Sequence, residues 1–179
     1  MESLLAQYHV HPIVDHFTIA LCATGVLVDV VGQLLLTTLG GKSQFVKKLG
    51  ERLAGASIIL LIPGALSAIV SRLTGESEAE RVWETMSPAA QQILLSENGA
   101  RWFFSHAVLG TYLMYALLAL AVWRLLLELG TRFQRTRPVY LAAAVIVLAA
   151  LLYQGRTGGE LVYDHGVGMN ATAADRTGE

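Results

Sequence analysis

Leu141-Ala142-Ala143-Ala144-Val145-Ile146-Val147-Leu148-Ala149-Ala150-Leu151-Leu152 is apolar on every face. A surface helix in water keeps a polar stripe. A strand of a membrane barrel alternates apolar and polar residues. This stretch does neither. In lipid, such a run must satisfy its own backbone groups, which makes it a helix. Read outward, it becomes a span over residues 139–155, with Gln154 and Gly155 continuing its end. Three other stretches reach the roughly 20 apolar residues that a crossing needs: residues 13–39, 53–71 and 102–129.

The composition agrees. Of 179 residues, 54% are hydrophobic and 15% charged, and the mean hydropathy is +0.50. Soluble domains average about 25% charged residues, so a water-facing globule is excluded. Disorder is excluded too, because disordered chains are poor in apolar residues. The net charge of -1 gives no footing for nucleic acid. The lone Cys22 excludes an intramolecular disulfide and a Cys-only metal site. The expected fold class is all-α: a four-transmembrane-helix bundle forming one domain over residues 1–169, in membrane lipid, with a small polar tail over 170–179 that frays.

Local signals mark the boundaries. Residues 1–14 contain no Lys or Arg, so a cleavable signal lacks its basic region and the first span is expected to be retained. Pro12 suits a first helical turn. Gly40-Gly41 ends the first span. Pro63-Gly64 lies inside the second, where a kink is expected. Residues 72–101 form a longer loop, with an amphipathic segment over 77–86 and a second helix start at Ser87-Pro88.

Charge orients the bundle. Lys42, Lys47, Lys48, Arg52, Arg124, Arg132, Arg135 and Arg137 fall at one end, against Glu51 and Glu128. The other end has five basic residues, Arg72, Arg81, Arg101, Arg156 and Arg176, against eleven acids. The Lys/Arg excess in short loops marks the cytoplasmic side. Both termini and the loop over 72–101 are therefore expected in the periplasm, for a bacterial inner-membrane protein.

All five histidines, His9, His11, His16, His106 and His165, fall at the periplasmic end. Ionisable residues in membrane segments tend to mark functional sites, and imidazole serves both metals and haem. His16 and His106 lie within spans and form the best axial pair for a haem b. His11 and His165 form a second pair, or wall the pocket, so one or two haems fit. His9 is the expected outsider. Ala20 lies at i+4 from His16 and Gly110 at i+4 from His106, leaving room for a flat ring on each ligand's face. Small residues are equally ordinary at helix contacts. Phe17, Trp102, Phe103, Phe104, Tyr112 and Tyr153 supply aromatic walls. Arg101 and Arg156 stand where they can pair with propionates. A compact zinc, copper or iron site is the alternative, with Asp15, Glu160 and Asp164 added to the histidines.

The segment from Tyr153 to Met169 is rich in glycine, and its apolar residues suggest that it folds back onto the bundle mouth and delivers His165. Deeper in the first span, Asp29 and Gln33 are polar. Asp29 pairs with Arg124 or with backbone groups, or belongs to a proton path. Cys22 reads as a core residue.

A family resemblance covers nearly the whole chain. His11-Pro12-Ile13-Val14-Asp15-His16-Phe17 resembles the HPxxxHF motif that opens an uncharacterised bacterial four-helix membrane family, a domain of unknown function; Asp29 fits it too. His106-Ala107-Val108-Leu109-Gly110 is similar to the motif on that family's third helix. Gly158-Gly159-Glu160-Leu161-Val162-Tyr163-Asp164-His165-Gly166-Val167 is similar to its closing GGxLVYxHGV. Thr18 replaces the proline of HFP. Relatives joined to c-type cytochrome domains imply an electron-transfer setting. No CxxCH is present, so any haem is held non-covalently. The expected function is a b-type haem protein carrying electrons from a membrane donor such as quinol to a periplasmic acceptor such as a c-type cytochrome. The alternatives are a zinc, copper or iron protein and a structural subunit of a larger respiratory or photosynthetic complex. Whether the chain is an enzyme stays open.

Overall fold

The computed structural model describes residues 10–39, 43–96 and 99–168. His9, Gly40-Gly41 and the tail over 170–179 lie outside the described residues. Helix α1, Val10–Leu34, runs into a wider turn over Leu35–Leu39. There the hydroxyls of Thr37 and Thr38 donate to the carbonyls of Gln33 (2.9 Å) and Leu34 (2.5 Å). Those carbonyls are ones that a helix end leaves open.

Helix α2 is Gln44–Val82, much longer than the expected span over 53–71. Its extra turns are charged rather than apolar, and local pairs support them. Lys47 meets Glu51 at 4.0 Å, Arg72 meets Glu76 at 3.0 Å, and Arg81 pairs with Glu78. Such spacings stabilise a helix outside lipid. Pro63 lies within this unbroken helix.

Helices α1 and α2 pack tightly through glycines. A Cβ on Gly64 would lie 2.6 Å from Cys22 Sγ, and one on Gly32 would lie 2.8 Å from the Ala54 backbone nitrogen. Small residues of this kind let membrane helices approach closely. Cys22 itself is fully buried, as a core residue should be.

A short turn over Trp83–Thr85 leads to α3, Pro88–Leu94. As expected from Ser87-Pro88, the Ser87 hydroxyl accepts from the Ala90 N–H at 3.2 Å and Pro88 opens the helix. Helix α3 packs Ala90 and Leu94, with Met86 just before it, against Leu161 and covers one end of the bundle.

The third span is not one helix over 102–129. Helix α4, Gly99–Phe104, stops at Ser105, and α5 is His106–Leu129. Ser105 takes an extended conformation (φ -65°, ψ 147°). Its hydroxyl and N–H both donate to the Trp102 carbonyl, at 2.6 and 3.2 Å, while its own carbonyl accepts from Leu109. One serine closes α4 and opens α5. Trp102, Phe103 and Phe104 therefore precede the span, and His106 is its first residue rather than a residue one turn inside.

A turn over Thr131–Thr136 leads to α6, Arg137–Tyr163. The glycine-rich stretch does not fold back: it continues as helix through Gly155, Gly158 and Gly159. The chain turns only beyond Asp164, where Gly166 has a φ of 66°. Val167 then packs on the α3 cluster, beside Leu161 from the helical part of the stretch.

Four spans result, Val10–Leu39, Gln44–Thr85, His106–Leu129 and Phe133–Tyr163. The start of α1 and the end of α6 share one end of the bundle, here the histidine end; the opposite end is the arginine end. Between the helices lie Cys22, Ala65, Leu109, Leu113, Leu117 and Leu151, then Val26, Leu61, Leu120, Leu127 and Tyr140. Ile59 and Ile146 point outward, suited to lipid.

Candidate functional site

Two polar layers cross this apolar bundle. Near the arginine end, Arg124 and Asp29 meet at 3.1 Å, and each is about as buried as any residue in the chain. Arg124 also donates to Ser57 Oγ (3.2 Å), the Ala54 carbonyl (2.5 Å) and Glu128 (3.1 Å). Tyr140 donates its hydroxyl to the other Asp29 oxygen at 2.7 Å, and Gln33 reaches Asp29 at 3.4 Å. All four spanning helices contribute. The pairing of Asp29 with Arg124 was one of the expectations; Tyr140 and Ser57 were not foreseen.

At the histidine end, His106 is buried at the head of α5. Its Nδ1 lies 3.0 Å from Thr157 Oγ1 on α6, and its backbone carbonyl accepts from Gln154 Nε2 at 2.9 Å. The Thr157 hydroxyl donates its one proton to the Gln154 carbonyl at 3.0 Å. It can then only accept from the ring. His106 Nδ1 therefore carries the proton, and Nε2 keeps a bare lone pair.

The same logic holds twice more. His11 Nδ1 lies 3.3 Å from Thr74 Oγ1, whose proton goes to the Val70 carbonyl at 2.9 Å. His16 Nδ1 lies 2.6 Å from the Pro12 carbonyl, which can only accept. In all three described ring contacts Nδ1 is the donor and Nε2 is left open.

Glycines shape the layer. A Cβ on Gly158 would lie 3.0 Å from His106 Cε1, and one on Gly75 would lie 2.8 Å from His11 Cε1. Both rings lean on backbone that carries no side chain. Asp15 accepts from the buried Ser71 hydroxyl at 2.9 Å. Asp15 and His11 both lie within electrostatic reach of His106. Arg72 joins α2 to α5 by donating to Thr111 at 2.7 Å.

The layer differs from the expected one in its members. His11, rather than His16, shares it with His106. His16 lies on the exposed face of α1, together with Phe17 and Ala20. His165 is carried past the layer because α6 stays helical: it lies seven residues beyond Gly158, roughly 10 Å at 1.5 Å per residue. The space at Gly110 belongs to Gln154, whose Nε2 would lie 3.0 Å from an added Cβ. Trp102, Phe103, Phe104, Tyr112 and Tyr153 do gather, with Phe103 and Tyr112 at 5.2 Å and Phe104 and Tyr153 at 6.3 Å. Arg101 lines a cleft of ≈410 Å³ that Thr157 also lines, and Arg156 lines a neighbouring one of ≈350 Å³. Glu160 stands between, in the walls of both. Among the described residues no three His, Cys, Asp or Glu side chains form a group able to hold a metal ion.

Thr157 and Gln154 were missed as partners of His106. Their signal was present: Gln154, Thr157 and Leu161 follow helical spacing and are all buried on one face of α6. Reading the glycines as a break hid that face.

No curated protein and no solved structure matches the chain. A family model described as "Predicted membrane protein (DUF2231)" matches residues 7–171. The four spans, the histidine layer and the closing turn all fall within that match, and the chain belongs to this family of membrane proteins of unknown function.

Proposed function

We propose that the chain is a haem-binding membrane electron carrier whose ligands come from the histidine end. One observation carries this: His106 is buried with Nδ1 held by Thr157 and Nε2 left bare. Histidines that ligate metals donate their other ring nitrogen in this way, which fixes the tautomer and the ring plane. Gly158 supports the same holding of the ring, since a Cβ there would crowd His106. A bound haem supplies a one-electron iron couple.

The chain's own residues have separate tasks. His106 is the first ligand and His11, from the same layer, the second. Thr157 and Thr74 hold their rings. Arg101 and Arg156 face the two clefts and serve anionic edges such as propionates. His16, on the exposed face of α1, serves a second group. The Lys/Arg excess puts the arginine end in the bacterial cytoplasm. The histidine end then faces the periplasm, where a c-type cytochrome can take the electron.

An absorption spectrum of the protein purified in mild detergent tests this. The expected result is a Soret band that shifts on reduction and is largely lost in His106→Ala. A colourless protein with stoichiometric zinc or copper, after growth with ample haem, overturns it.

A further inference from the structure

We infer that the outer side of α2 at the arginine end holds an anionic phospholipid, its phosphate between Lys48 and Arg52 and one acyl chain over Gly55. The helical period puts residues 45, 48, 52, 55, 59 and 66 on one side of α2. All six are exposed. Phe45 and Ile59 are each 74% exposed, so the bundle covers neither end of this stripe. Ile59 and Leu66 make its far part a surface suited to lipid. Lys48 and Arg52 therefore stand on the lipid-facing side of the helix itself, not in a loop.

Depth places the two cations among headgroups. Arg52 and Arg72 bracket the apolar part of α2 and stand 20 residues apart, roughly 30 Å at 1.5 Å per residue. The hydrocarbon core is about that thick. Arg52 thus marks its edge, and Lys48 lies about 6 Å further out. Each Cα–Cβ bond of a helix tilts toward the N-terminus, which for α2 is the arginine end. Both side chains are directed into the headgroup layer, with their methylene stems along the apolar boundary.

Charge selects the headgroup. Lys47 is engaged by Glu51 at 4.0 Å, Arg124 by Asp29 and Glu128 at 3.1 Å each, and Arg137 by Gln134. Those pairs also take up Glu51 and Glu128, the acids of this end. Lys48 and Arg52 have no side-chain partner among the described residues. Like charges four residues apart on a helix repel, and a phosphate between them relieves that. A zwitterionic lipid brings its own cation to the same place. Gly55 selects a chain. No atom lies within 4 Å of where its Cβ would stand, so the glycine serves no close contact among the described residues. It costs helix propensity and leaves a notch between Arg52 and Ile59. A free phosphate would use the two cations alone, whereas a lipid also uses the notch and the apolar stripe beyond it.

The test follows lipid binding to the full chain by native mass spectrometry from a mild uncharged detergent. The probes are phosphatidylglycerol and phosphatidylcholine with identical palmitoyl and oleoyl chains, so only the headgroup differs. One phosphatidylglycerol should stay bound, more tightly than phosphatidylcholine. Lys48→Gln and Arg52→Gln should each weaken it about fivefold, and together about thirtyfold. Arg135→Gln, exposed in the turn before α6, should leave it unchanged. Gly55→Leu fills the notch without meeting a protein atom. It should weaken phosphatidylglycerol about threefold, the loss of about five chain contacts, at an unchanged unfolding midpoint. Equal binding of the two lipids, or undiminished phosphatidylglycerol binding in the double variant, overturns the inference. So does displacement by chainless glycerol phosphate, which would make this a site for a soluble anion. A second copy of the chain retained in place of lipid, and lost in the double variant, overturns it too. Haem plays no part in the measurement, so its outcome and that of the Soret test are independent.

Discussion

The two polar layers use similar numbers of side chains to opposite ends. In the arginine layer the charges answer each other. Arg124 reaches Asp29, Ser57, the Ala54 carbonyl and Glu128, while Asp29 takes Arg124, Tyr140 and Gln33. In the histidine layer the His106 and His11 rings are each tied at Nδ1 only. Closing a polar network inside a membrane serves the fold, because an unpaired charge there is costly. Leaving a lone pair open beside a held ring serves a ligand. Placement in a membrane span, by itself, does not separate the two; whether the charged or ring groups have their partners does, since each layer also leaves one buried amide oxygen without a partner, Gln33 Oε1 in the first and Gln154 Oε1 in the second.

The largest expected effect comes from breaking the closed layer. Arg124→Met leaves the Asp29 carboxylate buried with Tyr140 and Gln33 alone. Removing one partner of a buried ion pair costs about 3–5 kcal/mol. The midpoint of unfolding in mixed micelles, followed by far-UV circular dichroism, should fall accordingly. Adding Asp29→Leu should recover most of the loss, since replacing a whole buried pair by apolar residues is often neutral. Failure to recover would mean that Asp29 does something besides balance Arg124, and the contrast between the layers would weaken.

Much of this architecture was legible in the sequence, because lipid imposes few solutions. Four apolar runs meant four helices, and a deep Asp29 with Arg124 toward the same end made a pair one of the readings, beside backbone partners and a proton path. What was not legible was rotation. In a soluble helix the polar stripe shows which face turns inward. In α1 both the lipid face and the core face are apolar, so nothing in the spacing of His11 and His16 says which ring points at His106. The structure turns His11 inward and His16 outward. Glycine misled for a related reason. Its low helix propensity is measured in water, whereas in lipid the backbone keeps its internal bonds, and Gly158 is needed bare so that His106 can rest on it. The break at Ser105 was hidden because Trp102, Phe103 and Phe104 are as apolar as the span that follows.

A middle-sized effect tests the open layer. Thr157→Val keeps the size of the side chain and removes the acceptor for His106 Nδ1. The ring then loses its fixed tautomer but keeps its place. Outer partners of metal-bound histidines are typically worth about 10–100-fold in affinity. Haem titration of the purified protein should show a weakening of that order, with the unfolding midpoint shifted far less than in Arg124→Met. Unchanged affinity together with lower stability would assign Thr157 to packing, and with it the open layer would lose its distinguishing feature.

The smallest expected effect belongs to His16. Its ring sits on the exposed face of α1 with Nδ1 on its own helix, at the Pro12 carbonyl, and it contributes nothing to the core. Surface substitutions of this kind usually change stability by less than about 0.5 kcal/mol, so His16→Ala should unfold where the parent protein does. Its effect on the spectrum then separates the two histidine pairings. If His11 and His106 hold one haem between them, His16→Ala keeps that haem's Soret intensity, while His11→Ala loses it as His106→Ala does. If His16 serves a second haem on the outer face, His16→Ala removes only that share, and the remainder still depends on His106. Should His16→Ala abolish the whole band while His11→Ala spares it, the ring on the exposed face would be the true partner of His106, and α1 would have to turn in the haem-bound protein to bring it inward.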